Sequence, residues 1–379
     1  MKLEKNHILI IKIIYLFFCL LVYFRYFFVN FDFLSRSILP LEPVLPYFGL
    51  LVLYLDRDEL LNYKLVLFMS FFYLTANTNF NFINDIVPTL LLCVIFSNED
   101  PIDVAKPMFN FLLFWLLISI VGSLTGLLPF VDGYMGGRHH YILNFTHHNK
   151  MALYLFGIMA LAIYLYKNKI LKNKCIIIFF GIIANLYTFI FCDSRTGGIA
   201  QLLLIFSFIF DEYIYSKTLV FVRIFSFLKK WIWITPVFIL LFSMLLSITY
   251  QYGNKVWFFF DLLLTGRLGL QHEYYLANGF PLLGVGMKFC GYGCEVYDYV
   301  DNAFLRYVYE NGLIFTLLFL TVISLTIKKH MNSSKDIFCV YFLFIYALIG
   351  LSEWISFVFC PFVFMLFCNT NRQKEVKYD

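Results

Sequence analysis

Charge is what this chain of 379 residues has least of: 14% of its residues are charged, against 61% hydrophobic and 21% aromatic. Soluble domains carry about 25% charged residues, so the composition excludes an ordinary soluble fold and predicts an integral membrane protein. Also missing is a small-residue cleavage site behind the opening "MKLEKNHILIIKIIYLFFCLLVYF". Its apolar run is longer than the roughly 7–15 residues of a signal-peptide core, so it reads as a retained first span. The nine cysteines are scattered. Most sit in apolar segments, where a thiol behaves as a small hydrophobe, and no spacing suggests zinc or an iron–sulfur cluster. Only Cys290 and Cys294, in "FCGYGC", form a close pair outside those segments, where a disulfide stays open. No GxGxxG lies in a βαβ setting; "GFPLLGVGM" is turn-rich but spaced otherwise, so no nucleotide cofactor is expected. There is no internal repeat and no low-complexity segment.

What is present is a succession of apolar runs. A spanning helix needs about 20 mostly apolar residues. Runs fall near 7–29, 38–55, 62–77, 81–97, 106–128, 150–166, 173–192, 197–213, 231–250, 303–326, 336–350 and 353–369. The expectation is an all-α polytopic membrane protein, one membrane domain over 1–379, with about 12 transmembrane helices in a range of about 10–12. Most of the 29 Lys and Arg fall in alternate loops. This bias puts those loops, and both termini, in the cytoplasm. A net charge of +5 is thereby explained by topology, and no nucleic-acid partner is expected. Two long loops are left on the outer side: residues 129–149, and 251–302 between the ninth and tenth spans. Arg36, Arg138, Arg195, Lys255, Arg267, Lys288 and Arg306 lie on that side against the topological rule, so something other than insertion retains them.

Three outer stretches carry candidate chemistry. The first, "GYMGGRHHYILNFTHHNKMA", holds Arg138, His139, His140, His147, His148 and Asn149. An arginine fork matches phosphate, and a histidine can act as a base near neutrality. An interfacial loop is the plain alternative, and the spacing lacks HExxH or HxxH regularity, so no metal is expected. The second, "CDSRTGG", puts Arg195 at a helix N-terminus. Capping by Ser194 or Thr196 and close packing of Gly197 and Gly198 account for the rest. A cation there opposes the helix dipole unless an anion shares the place. The third runs from "TGR", with Arg267 on an amphipathic segment, to "VDNAFLRYVYENGLI". Asp301 stands where a cap would be, and Asn302, Arg306 and Glu310 follow at four-residue intervals on one face. A capped helix with an Arg306–Glu310 pair is the plain account. A polar stripe entering a spanning segment points instead to a site.

The ordered series of "R…HHNKMA", "DSRTGG", "TGR", "PLLGVGM" and "DNAFLRYVYENGLI" resembles the O-antigen ligase and polymerase superfamily, and in particular the Wzy-type repeat-unit polymerases. The likeness covers roughly residues 105–330. It implies glycosyl transfer between undecaprenyl-diphosphate-linked oligosaccharides at the outer face of the bacterial cytoplasmic membrane, yielding capsule, exopolysaccharide or O-antigen. It implies no metal and no cofactor; the partners would be the lipid-linked oligosaccharides, membrane lipid, a chain-length regulator and a repeat-unit flippase. Arg195 and Arg138 would stabilise the departing diphosphate, with Arg267 next. Asn149, Lys255, Asn302, Arg306 and Glu310 would line the substrate. Relatives carry a histidine and a polar residue where this chain has Asp301–Asn302. Asp301 would then be the general base, with His148 as the alternative. A ligase of the same superfamily and a repeat-unit flippase are the rival readings. A transporter would place ionisable groups near the midplane of several helices, often in two related halves.

Overall fold

The computed structural model describes residues 2–25, 44–55, 99–129, 132–135, 138–145, 147–213, 219–263, 266–284 and 300–333, with isolated positions within 91–96 and 345–351. Their regular secondary structure is helical apart from one two-stranded ribbon. Among them three helices are long and apolar enough to cross a membrane, Pro101–Leu124, His148–Lys167 and Ser226–Thr249. Shorter apolar helices cover His7–Leu21, Lys174–Ile190 and Leu313–Leu325. The runs near 62–77 and 353–369, most of 81–97 and 336–350, and Arg36, Lys288, Cys290 and Cys294 lie outside the described residues. The chain divides into two compact units, Met1–Tyr215 with Phe359–Asp379, and Ser216–Val358.

The first unit contains α1 (Lys2–Arg25), α2 (Leu45–Leu55), α3 (Pro101–Leu124), the ribbon β1 (Asp132–Met135) and β2 (Arg138–Tyr141), α4 (His148–Lys167), α5 (Lys174–Ile190) and α6 (Arg195–Tyr213). Local chemistry sets the helix starts. The Asp100 side chain accepts from Ile102 N at 2.9 Å, and Pro101 occupies a first-turn place where its missing N–H is no loss. Asn173 caps α5 by accepting from Cys175 N and Ile176 N. In α5 the usual polarity is inverted. Ile176, Phe179, Ile183, Leu186 and Ile190 make an exposed apolar face, whereas Gly181, Ala184, Asn185 and Thr188 are buried. Water would not tolerate that outward face, but lipid does, and small or hydrogen-bonding residues then serve helix–helix contact. Accordingly, Asn185 donates to Gly198 O at 2.7 Å, and Gln201 donates to Ala152 O and to Thr188 Oγ1.

α4 is the most enclosed helix of this unit, buried along most of its length from Met151 to Leu165. α4 and α6 run in the same direction. Ala152 lies against Gly197 near their starts, and Lys167 reaches both Asp211 and Glu212 at 2.5 Å near their ends. α1 holds a charge the sequence reading did not single out. Lys12, 1% exposed, pairs with Glu99 at 2.8 Å.

The second unit contains α7 (Leu219–Trp231), a 3₁₀ turn (Ile232–Ile234), α8 (Thr235–Thr249), α9 (Lys255–Leu263), α10 (Arg267–Asn278), α11 (Ala303–Asn311) and α12 (Leu313–Ser333). Residues 219–230, which lie between the predicted spans 197–213 and 231–250, are helical and lead through the 3₁₀ turn into α8. One expectation changes here. The predicted span 303–326 is two helices, divided at Gly312, which has φ +91°. The break is filled by backbone from "PLLG": Leu313 N donates to Pro281 O at 2.8 Å and Ile314 N to Leu282 O at 3.4 Å. These carbonyls take up first-turn donors of α12 that have no partner within the helix.

Candidate functional site

In the first unit the starts of α4 and α6 come together. His147 caps α4, its Nδ1 accepting from Asn149 N at 3.2 Å, and its ring stacks on that of His148 with centroids 4.0 Å apart. The Asn149 side-chain oxygen accepts from Ser194 Oγ at 2.7 Å. Ser194 is buried, and its carbonyl receives the Gly198 N–H, so the serine hydroxyl ties two helix starts together instead of capping its own. The turn before α6 needs Asp193 at φ +47°, and it is held by Ser194 N to Thr188 O. The ribbon is pinned to the same place, since Tyr141 N donates to Phe191 O and Tyr187 Oη to Tyr141 O, both at 2.8 Å. Below it, Asn144 is fully buried against Ser119 of α3.

Two parallel helices beginning side by side add their positive dipole ends at one spot. Lys150 is half-buried one turn into α4, and Arg195 is exposed at the first position of α6. Among the described residues no carboxylate pairs with Arg195, so its charge is available to an anion. Of the first-unit residues singled out in the sequence, His148, Asn149 and Arg195 are therefore neighbours. Arg138, His139 and His140 are placed on β2 opposite Met135, Tyr134 and Gly133. Their side chains lie outside the described residues.

In the second unit the polar residues of α10 and α11 assemble. Arg267 Nε lies 2.9 Å from Asp301 Oδ2, an ion pair with both side chains mostly buried. Asp301 is not the cap expected for α11. That role belongs to Asn302, whose side-chain oxygen accepts from Phe304 N and Leu305 N while its nitrogen donates to Ser243 Oγ of α8 at 2.9 Å. The shift by one residue leaves the Asp301 carboxylate to Arg267. Arg306, 5% exposed, donates through Nε to Glu310 at 2.7 Å, so the expected pair forms, and it forms buried. Lys255 stands exposed at the start of α9, and among the described residues it makes no ion pair.

Several residues that hold this group in place escaped the sequence reading. Asp261 of α9 accepts from Leu268 N at 2.8 Å and Gly269 N at 3.1 Å, and so caps α10 from outside it. His272 Nδ1 lies 2.7 Å from Ser247 O and moors α10 to α8. Tyr252 donates to Glu273 at 2.7 Å; desolvation, and then that carboxylate, raise its phenol above the ordinary range. A cap normally adjoins its helix, so only the unusual "TGR" start without Ser, Thr, Asp or Asn at position 266 hinted that one must come from elsewhere. The arrangement offers cationic and helix-end anion recognition in one unit, and a carboxylate–guanidinium pair with buried polar groups in the other. Among the described residues, no group of three or more His, Cys, Asp or Glu could hold a metal ion.

Compared with known proteins, the chain matches no family model, no curated protein and no solved structure.

Proposed function

We propose that this chain polymerises undecaprenyl-diphosphate-linked oligosaccharide repeat units into a surface polysaccharide. It would act as a glycosyltransferase of the bacterial cytoplasmic membrane, with about 12 spans and both termini in the cytoplasm. The observation that carries the reading is the pair of helix starts bearing Arg195, which has no carboxylate partner among the described residues. The leaving group of such a transfer is a lipid diphosphate, on whose oxygens charge accumulates. Helix N-termini and an arginine fork stabilise that charge as it develops. The order of motifs along the chain supports the same chemistry. Arg138, carried on the strand that continues to Tyr141, would add a second cation for the diphosphate. Asp301 serves as base toward the attacking sugar hydroxyl, held in place by Arg267, with His148 as the alternative base. Arg306, Asn302, Glu310, Asn149 and Lys255 serve the substrate. Membrane lipid surrounds the protein, and a flippase and a chain-length regulator are its functional partners.

The test is a deletion strain complemented with wild type, Arg195→Ala or Asp301→Ala, with lipid-linked and surface glycan resolved on gels. Loss of the ladder with single repeat units accumulating on lipid is expected. Arg195→Ala, which removes an anion-stabilising group, should lower the rate by about 100- to 1,000-fold with the protein at the wild-type level. Asp301→Ala also leaves Arg267 without its carboxylate, so its activity is read per amount of folded protein. Full-length polymer stranded on its carrier would show a ligase instead. Single units held on the cytoplasmic leaflet would show a flippase.

A further inference from the structure

α10 and the stretch from Asp301 into α11 are joined by two side-chain contacts of different chemistry. At the start of α10 Arg267 pairs with Asp301, and further along Tyr274 lies edge-on to Tyr309 with ring centroids 4.4 Å apart. Positions 267, 271 and 274 share one helix face, so Gln271 stands between those two contacts. Its side chain is 1% exposed, and among the described residues neither its Nε2 nor its Oε1 has a hydrogen-bond partner. The hydroxyl of Tyr309, a residue with 0% exposure, is likewise unpartnered among them. Buried polar atoms in folded proteins are nearly always paired. Here three of them lie on one short helix pair, as donors and acceptors that the described residues do not use.

Their chemistry defines what they would bind. A primary amide gives two donors and an acceptor, and a phenol can give and accept; none of these groups is charged. Phosphate offers acceptors alone and is served by arginine. A neutral ring bearing several hydroxyls both donates and accepts, and its apolar face suits an aromatic side chain. Resting on the polymerase reading above, we propose that the Gln271–Tyr274–Tyr309 group is a saccharide subsite. It takes a sugar ring of the repeat unit and holds it next to the Arg267–Asp301 pair.

The subsite is tested with Gln271→Leu and Tyr309→Phe in full-length protein purified in detergent. Each substitution removes unpartnered buried polar atoms, so each variant should melt at or above the wild-type temperature. The probe is the oligosaccharide released by mild acid from the lipid-linked intermediates that the deletion strain accumulates. It should raise the wild-type melting temperature, and both variants should bind it about tenfold or more weakly. Undiminished binding by two stable variants would overturn the subsite and leave the polymerase reading standing. Variants that melt well below wild type yet bind the sugar normally would also overturn it, by making the two side chains structural. A deletion strain that accumulates no lipid-linked oligosaccharide would overturn the polymerase reading, and this inference with it.

Discussion

At the scale of single residues, Lys12 shows how membrane burial changes the meaning of a charge. It lies in the first apolar helix, is 1% exposed, and meets Glu99 from a segment far along the chain. A buried ion pair contributes little net stability over an apolar replacement, but removing one partner strands the other. Lys12→Met is therefore expected to destabilise the protein by about 3–5 kcal/mol. The double variant Lys12→Met, Glu99→Gln should recover much of that loss; denaturation of the purified proteins checks both. Arg195 is the opposite case. It is exposed and free of carboxylate partners among the described residues, so its replacement should leave stability within about 0.5 kcal/mol of wild type. A residue whose loss costs function without costing stability is recognised by that contrast.

At the scale of elements, the break between α11 and α12 decides what the polar stripe is. A continuous helix would carry Arg306 and Glu310 into the membrane at high cost. Instead Gly312 ends a nine-residue helix, and the "PLLG" backbone runs against the break. The approach is close enough that side chains are excluded on both sides. A Cβ at Gly312 would stand 2.7 Å from Leu283 Cα, and one at Gly284 would stand 2.6 Å from Glu310 C. Gly312→Ala adds left-handed strain to that overlap, and is expected to cost roughly 2 kcal/mol or more. Loss of the monodisperse peak on size exclusion in detergent would register it, whereas Gly253→Ala, also at positive φ but with no atoms nearby, should be milder. Asp261 belongs to this scale too, since a side chain of α9 caps α10. The sequence pattern of "TGR" and "PLLGVGM" marked these places as unusual, but not what they join.

At the scale of the whole molecule, α5 presents apolar residues outward and polar ones inward, the arrangement expected of a helix in lipid. The Lys and Arg bias supports the proposed sides. With cysteines introduced singly into a cysteine-free background, Lys172→Cys should react with a membrane-impermeant maleimide only after cells are opened. Asn254→Cys should react in intact cells. The reverse pattern would invert the topology and place Arg195 on the wrong side for a lipid-linked donor.

The apolar, helical character and the runs that become helices such as α3, α4 and α5 were determined by the sequence itself, because hydrophobic length and caps are local properties of a chain in lipid. Asp100 before Pro101 and Asn173 before α5 could be read where they stand. Partnership was decided only by tertiary structure. Asp301 looked like a cap and is the partner of Arg267, while Asn302 one residue on takes the cap and reaches α8. Ser194 looked like a cap and bonds Asn149, 45 residues earlier. Such choices depend on which helices become neighbours and in what register. A rotation of about 100° per residue separates adjacent positions onto different faces, so a one-residue difference decides whether a carboxylate ends a helix or meets an arginine.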